Sequence, residues 1–327
     1  MIDFLLPQLS INIFLQNLSL ALVEIMRAVT FLGEEYFYMV FMPLLYWCID
    51  SRAGFRVGAM LMFSNGIVGG IKMLFHAPRP YWLDTNVIAH ANETSFGLPS
   101  GHSSNAASVW GVLAYSFKKR WVTAIVVILI LLMGLSRMVL GVHFLADVIA
   151  GWLLGLLMLL IFIKVEKPVA AWYKRLALRD KMVAALFSST LLILPAFTFS
   201  WLLGRWPIPE QWAVNAAHPI APFSPEGSFT IAGTWAGFLI GASWFTLRFG
   251  LFNARGLWLH RVLRFMLGVI GVFAIWFGLD QIFPDSANSI GYLFRYIRYA
   301  AVGFWVSGLA PLIFLRLKLA SVHTEPD

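Results

Sequence analysis

The stretch from Trp121 to Asp147, WVTAIVVILILLMGLSRMVLGVHFLAD, decides the kind of protein this is. Trp121–Leu135 is apolar apart from Thr123 and reads as a membrane span. Directly after it come Ser136, Arg137, His143 and Asp147, and then the apolar run resumes to Ile163. Ionisable groups at membrane depth are costly, so a chain that carries an arginine, a histidine and an aspartate there points to a functional site.

The rest of the chain supports the membrane reading. Its 327 residues are 60% apolar, 16% aromatic and 12% charged, with a mean hydropathy of +0.77. A soluble domain carries about a quarter charged residues. Working outward from Trp121–Leu135, further spans are predicted over Gly33–Cys48, Gly54–Phe75, Gly101–Phe117 and Met138–Ile163, then Met182–Leu203, Phe229–Leu247, Phe265–Phe283 and Tyr296–Leu315. Ile11–Phe31 is interrupted by Gln16, Asn17, Glu24 and Arg27. It reads equally as an interfacial amphipathic helix or as one more span. Met1 to Ser10 has no basic region and carries Asp3, so it does not read as a cleaved leader. The single cysteine, Cys48, excludes an internal disulfide framework and a cysteine zinc site.

The expected fold is therefore all-α, a polytopic bundle of about 9–10 transmembrane helices. Residues 1–33 form the interfacial helix or first span, 34–166 a catalytic transmembrane core, 167–181 a basic cytoplasmic linker and 182–327 a four-helix C-terminal extension.

The net charge of +8 could suggest nucleic acid, but its distribution reports topology instead. Threading the chain back and forth leaves seventeen of the 24 Lys/Arg on one side, including Lys164, Lys167, Lys174, Arg175, Arg179 and Lys181. That side is cytoplasmic by the positive-inside rule and holds the C-terminus. The other side holds Arg27, Lys72, Arg79, Arg137, Arg205, Arg295 and Arg298.

Three of those seven belong to motifs that reach the same outer surface. Lys72 and Arg79-Pro80 end one span, Pro99-Ser100-Gly101-His102 starts the next, and Ser136-Arg137, His143 and Asp147 occupy the following outer turn. Three cations beside apolar segments call for an anion, and the arginine fork suits phosphate oxygens. Pro99 fits a helix start, and Ser100 either offers its hydroxyl to the anion or caps the helix. Gly101 permits close backbone approach, and the free N–H groups of the helix start form an anion seat beside His102. His143 and Asp147, four apart, are predicted on one helix face, where the carboxylate holds one imidazole nitrogen and frees the other.

Together these residues resemble the three signatures of the type 2 phosphatidic acid phosphatase superfamily, which also contains vanadium haloperoxidases and bacterial acid phosphatases. The resemblance covers about residues 34–163 and implies a core of about six helices. It implies that His143 is the nucleophile and forms a phosphohistidine, that Asp147 orients it, and that His102 protonates the leaving group. It implies further that Lys72, Arg79, Ser100, Gly101 and Arg137 bind the phosphoryl oxygens, and that no metal or cofactor is needed.

The function so implied is a metal-independent lipid phosphatase acting on a lipid phosphomonoester or pyrophosphate. It would sit in a bacterial-type inner or plasma membrane with its site facing the periplasm or exterior. A lipid phosphotransferase using the same residues is the alternative enzyme, and a lipid-phosphate transporter or scramblase the alternative of another class.

Other features receive plainer readings. His76 reads as a loop residue at the mouth of the site, Pro80-Tyr81-Trp82 as an interfacial aromatic belt, and Asp84, His90 and Glu93 as solvated loop residues. The proline-rich segment Gly204–Ser228 is too long for a simple connector and is expected to pack over the catalytic face or to shape the lipid entrance. Asp280 is expected to pair with Arg295 or Arg298. Gly233, Gly237 and Gly241 form a small-residue seam that packs helices within a bundle, with homo-oligomerisation through it as the lesser reading.

Overall fold

The computed structural model describes residues 1–203, 206–284 and 286–323. Gly204 and Arg205, assigned above to the outer loop and the outer cations, lie outside the described residues, as do residues 324–327 at the C-terminus.

The helices are α1 (Ile2–Asn17), α2 (Leu20–Phe31), α3 (Glu35–Ile49) and α4 (Ser51–Phe75), then α5 (residues 101–117) and α6 (Arg120–Val139). They continue as α7 (Leu145–Arg175), α8 (Leu178–Leu203), α9 (Glu210–Ala216), α10 (Glu226–Phe249), α11 (Trp258–Asp280) and α12 (Ser289–Arg316). Among the described residues seven helical segments are long and apolar enough to cross a bilayer. The expected spans over Gly33–Cys48 and Gly101–Phe117 are helical but shorter, and each contains a π-helical turn, Leu45–Ile49 and Ala106–Trp110. The basic segment expected as a linker is helical apart from Leu176 and Ala177. A two-stranded antiparallel ladder, β1 (Leu251–Asn253) with β2 (Ser321–His323), is the one small departure from an all-helical chain among the described residues.

The ambiguous Ile11–Phe31 segment is neither a straight span nor a single surface helix. α1 and α2 meet at a 105° bend. Ser19 produces the break: its backbone is extended and its hydroxyl accepts from Leu22 N, capping α2.

The chain divides into two compact units. The first comprises Met1–Tyr38, Ser64–Phe162 and Pro195–Pro225. Its core gathers Trp82, Phe96, Leu140, Phe144 and Trp212 with Leu5, Leu9 and Met26. Tyr81 and Trp82 are 2% and 0% exposed, so the expected aromatic belt is instead core. Trp82 packs on Trp212 of α9, and Asn215 Nδ2 donates to its carbonyl.

The second unit comprises Met39–Phe63, Ile163–Leu194 and Glu226–Asp327. Here α10 lies against α12 along the glycine seam. A Cβ at Gly233 or Gly237 would collide with the carbonyls of Tyr296 and Ala300, and one at Gly241 with Ser307 Oγ. That glycine seam is occupied within the chain. Asp280 pairs with Arg298, while Arg295 pairs with Glu226.

Candidate active site

Four helix ends of the first unit deliver the motif residues. Lys72 lies in the last turn of α4 and Arg137 in the last turn of α6, where a cation complements the helix dipole. Ser100 is the N-cap of α5: its Oγ accepts from Ser103 N at 3.4 Å and from Ser103 Oγ at 2.9 Å. Of its two expected roles, the structure shows capping. Asp147 lies in the first turn of α7, and its carbonyl accepts from Ser100 N at 2.9 Å. α7 approaches α5 this closely because it presents glycine. A Cβ at Gly151 would lie 2.6 Å from the Ser100 carbonyl oxygen, and one at Gly155 would lie 2.5 Å from that of Ser104. At Gly101 itself a Cβ would meet only Val68 Cγ1 at 3.6 Å, so packing within the protein does not require glycine there.

His143 departs from its expected placement. It lies in the turn before α7, not on the helix. α6 stops at Val139 and the chain reverses through Gly141, whose φ of +72° suits glycine. Asp147 Oδ2 accepts from Phe144 N at 3.0 Å and lies 3.2 Å from His143 Nδ1, so the carboxylate organises the turn and the imidazole together. The other ring nitrogen, Nε2, is 3.3 Å from Arg79 Nη1. His143 and Asp147 are 1% and 0% exposed.

The cations surround this histidine. Arg79 is fully buried and donates to the carbonyls of Ser95, Phe96 and Val142. Lys72 Nζ reaches Ser95 Oγ at 3.0 Å and the Phe96 carbonyl at 2.9 Å. Arg137 donates to Thr30 Oγ1 at 2.6 Å, and its Nε has no partner. His102 Nε2 is likewise buried without a partner, and His102 lies near enough to Arg137, Glu93, Lys72 and Arg79 to feel their charges. The structure thus brings Lys72, Arg79, Arg137, His102, His143 and Asp147 to one place, with Ser100 tied to Asp147 through the backbone.

Glu93 is not a solvated loop residue. One carboxylate oxygen takes Arg79 Nη2 at 3.1 Å and the other takes Arg137 Nη2. Burial alone would push this carboxyl up, but Arg79 and Arg137, with Lys72 behind them, hold it below the usual carboxylate range. Its backbone is held as well: Tyr81 Oη donates to the Glu93 carbonyl, and Ala221 N to that of Thr94. The segment containing α9 therefore packs on the loop that carries Glu93. His76 belongs to the same packing, stacked on Trp206 at 4.9 Å and flanked by Phe96 and Phe223.

A second group of supporting residues comes from α1. The amides of Gln8, Asn12 and Gln16 recur every four residues and line one face. Gln8 Oε1 accepts from Ala146 N, Asn12 Nδ2 donates to the carbonyls of Met138 and His143, and Gln16 bonds both backbone groups of Ile88. The same polarity that interrupts the hydropathy of this segment holds the turn carrying His143. The spacing of the three amides was the available signal.

Known proteins match this chain in two places. Residues 53–170 match the PAP2 superfamily, and residues 229–322 match the PAP2 superfamily phosphatase, transmembrane extension. Over 155 residues the chain is 34% identical to phosphatidylglycerophosphatase B of Bacillus subtilis, covering 41% of this chain and 70% of that protein. The chain belongs to the PAP2 superfamily. It is also 23% identical over 319 residues to sphingosine-1-phosphate phosphatase 1 of Mus musculus, covering 87% of this chain and 70% of that one. Among solved structures, the transmembrane PAP2-type phosphatidylglycerolphosphate phosphatase from Bacillus subtilis is 27% identical, with a TM-score of 0.43, over 50% of this chain and 86% of that one. Against some other curated relatives this PAP2 chain spans 32% to 36% of their length. Both the charge cluster and the glycine contacts between α5 and α7 lie within or beside the matched PAP2 segment.

Proposed function

We propose that this protein is a metal-independent lipid phosphatase that hydrolyses a lipid phosphomonoester or diphosphate through a phosphohistidine on His143. One observation carries the reading: His143 is held by Asp147 through Nδ1 and turns Nε2 towards a guanidinium, within a buried set of three cations. A carboxylate that fixes one imidazole nitrogen leaves the lone pair of the other available for attack.

In the first step Nε2 of His143 bonds to phosphorus and the bond from phosphorus to the lipid oxygen breaks. Protonated His102 gives its proton to that oxygen, releasing the lipid alcohol or, from a diphosphate, the lipid monophosphate. In the second step neutral His102 takes a proton from water, the resulting hydroxide attacks phosphorus, and the P–N bond breaks to give inorganic phosphate. Lys72, Arg79 and Arg137 stabilise the charge on the transferring group, the main requirement of phosphoryl transfer. Three fixed cations supply what Mg²⁺ often supplies. Among the described residues no three of His, Cys, Asp and Glu come together to hold a metal.

The outer membrane face follows from the distribution of Lys and Arg, since the site lies on the side poor in cations. The names of the relatives span glycerophospholipid and sphingoid phosphates, so the substrate class is a phosphate end on a lipid of either kind.

The test uses lipids labelled in the phosphate, with EDTA present throughout. Acid-labile, base-stable label should appear on wild-type protein after a rapid quench and be absent from His143→Ala. Label on a variant lacking His143, or turnover lost on chelation, would remove the histidine mechanism or its metal independence respectively.

A further inference from the structure

Glu93 occupies the position that the proposed function gives to substrate. Its two carboxylate oxygens each take one guanidinium, Arg79 and Arg137, as two phosphoryl oxygens would. Arg79 reaches Glu93 through Nη2 and lies 3.3 Å from His143 Nε2 through Nη1, so one guanidinium links the carboxylate to the attacking atom. Of the three bridged side chains, Arg79 and Arg137 are 0% and 1% exposed, while Glu93 is 21% exposed. Glu93 is thus the most exposed side chain of the bridge. The backbone at Glu93 and Thr94 is held by Tyr81 and Ala221, so clearing the guanidiniums needs only rotation of the glutamate side chain.

Resting on the phosphatase reading, we propose that Glu93 is a specificity-determining residue. It reserves the arginine pair for doubly charged phosphate ends and rejects singly charged phosphodiesters. A site at a bilayer surface meets phosphodiester headgroups in large excess over any phosphomonoester. Glu93 is tethered and carries one negative charge, so its effective concentration at the guanidiniums is high. A diester also brings one charge and gains nothing by exchange. A phosphomonoester or terminal diphosphate approaches two charges at neutral pH and gains a further unit of attraction to three cations. Exchange of Glu93 for the substrate is therefore favourable only for the ends the enzyme cleaves.

The test uses the full chain in detergent, with inorganic phosphate as probe and phosphatidylglycerol as the diester competitor. Phosphate binding is read as the rise in melting temperature and as competitive inhibition of phosphate release from a short-chain phosphatidic acid. For Glu93→Gln the phosphate inhibition constant should fall about tenfold and phosphatidylglycerol should become an inhibitor, while wild type ignores it. Glu93→Asp, one methylene shorter and unable to bridge both arginines, should show a smaller fall, about threefold. It decides the matter if the glutamine variant does not fold. An unchanged or higher constant in a folded variant, with no diester inhibition, would overturn the proposal and leave Glu93 as a support for the arginines. If phosphate does not bind wild type either, the phosphate-site reading itself fails and this proposal falls with it.

Discussion

In the unit that carries His143, two of three buried cations, Arg79 and Arg137, share one carboxylate, Glu93, and the third, Lys72, is held by Ser95 Oγ and the Phe96 carbonyl. In the other unit three arginines each have a carboxylate of their own: Arg298 with Asp280, Arg295 with Glu226 and Arg56 with Glu166. Its most deeply buried cation, Arg264, is held by the carbonyls of Asn253, Ala254 and Arg255. Both units also use glycine to bring helices together, Gly151 and Gly155 in the first and Gly233, Gly237 and Gly241 in the second. The difference lies in what the close approach serves. In the second unit it joins two helices. In the first it sets Ser100, the cap of α5, against Asp147. An arginine with a carboxylate of its own holds a bundle together, whereas two buried guanidiniums on one carboxylate leave positive charge that a second anion could answer.

That contrast can be broken by substitution. The largest effect is expected for His143→Ala, a loss of phosphate release of about 10⁴-fold or more with the melting temperature little changed. Asp147→Asn should follow at about 10³–10⁴-fold, because the imidazole loses its orienting carboxylate. Single-turnover phosphate release with a parallel melting curve measures both.

Next in size is a paired glycine experiment. Gly151→Ala puts a Cβ against the Ser100 carbonyl and should lower kcat by about 100-fold through displacement of α5. Gly237→Ala puts a Cβ against the Ala300 carbonyl and should instead destabilise by about 1–3 kcal/mol, with turnover per folded molecule near wild type. Equal loss of kcat in both would end the distinction between the units.

Asn12→Ala removes the donor to the Met138 and His143 carbonyls. It should lower kcat about tenfold with KM little changed, and destabilise by about 1–3 kcal/mol, as a buried acceptor left unpaired does. A change in KM alone would mean that α1 touches substrate and does not position the nucleophile. The smallest effect on chemistry is expected for Asp280→Asn. It strips Arg298 of its counter-charge, yet Asp280 is 41% exposed. A fall of a few degrees in melting temperature and kcat within about twofold are expected.

Much of the candidate site could be read from the sequence because the chemistry proposed for it is tied to residue type at fixed spacing. Lys72, Arg79, Ser100, His102, Arg137, His143 and Asp147 announce themselves as polar groups in apolar surroundings, and the structure brings them together. The helices were legible for the same reason, with period and length surviving even where Ser19 breaks α1 from α2. Three things were not legible. Glu93 sits in an irregular loop, where only the fold decides which carboxylate meets which cation. Trp82 resembles an interfacial anchor until α9 covers it, and nothing local marks that covering. His143 was expected on a helix because four-residue spacing suits one, but a turn closed by a side-chain carboxylate gives the same proximity.

The amide face of α1 has a consequence for how the protein is made. Asn12 meets its partners 126 and 131 residues further along the chain. At about 5–20 residues per second, synthesis leaves those amides waiting on the order of ten seconds for the turn they will hold. Unpaired amides are poorly tolerated in hydrocarbon, so during that interval α1 belongs at the wet membrane surface. α1, made well before the turn that carries His143, is then the last piece of that turn to be set.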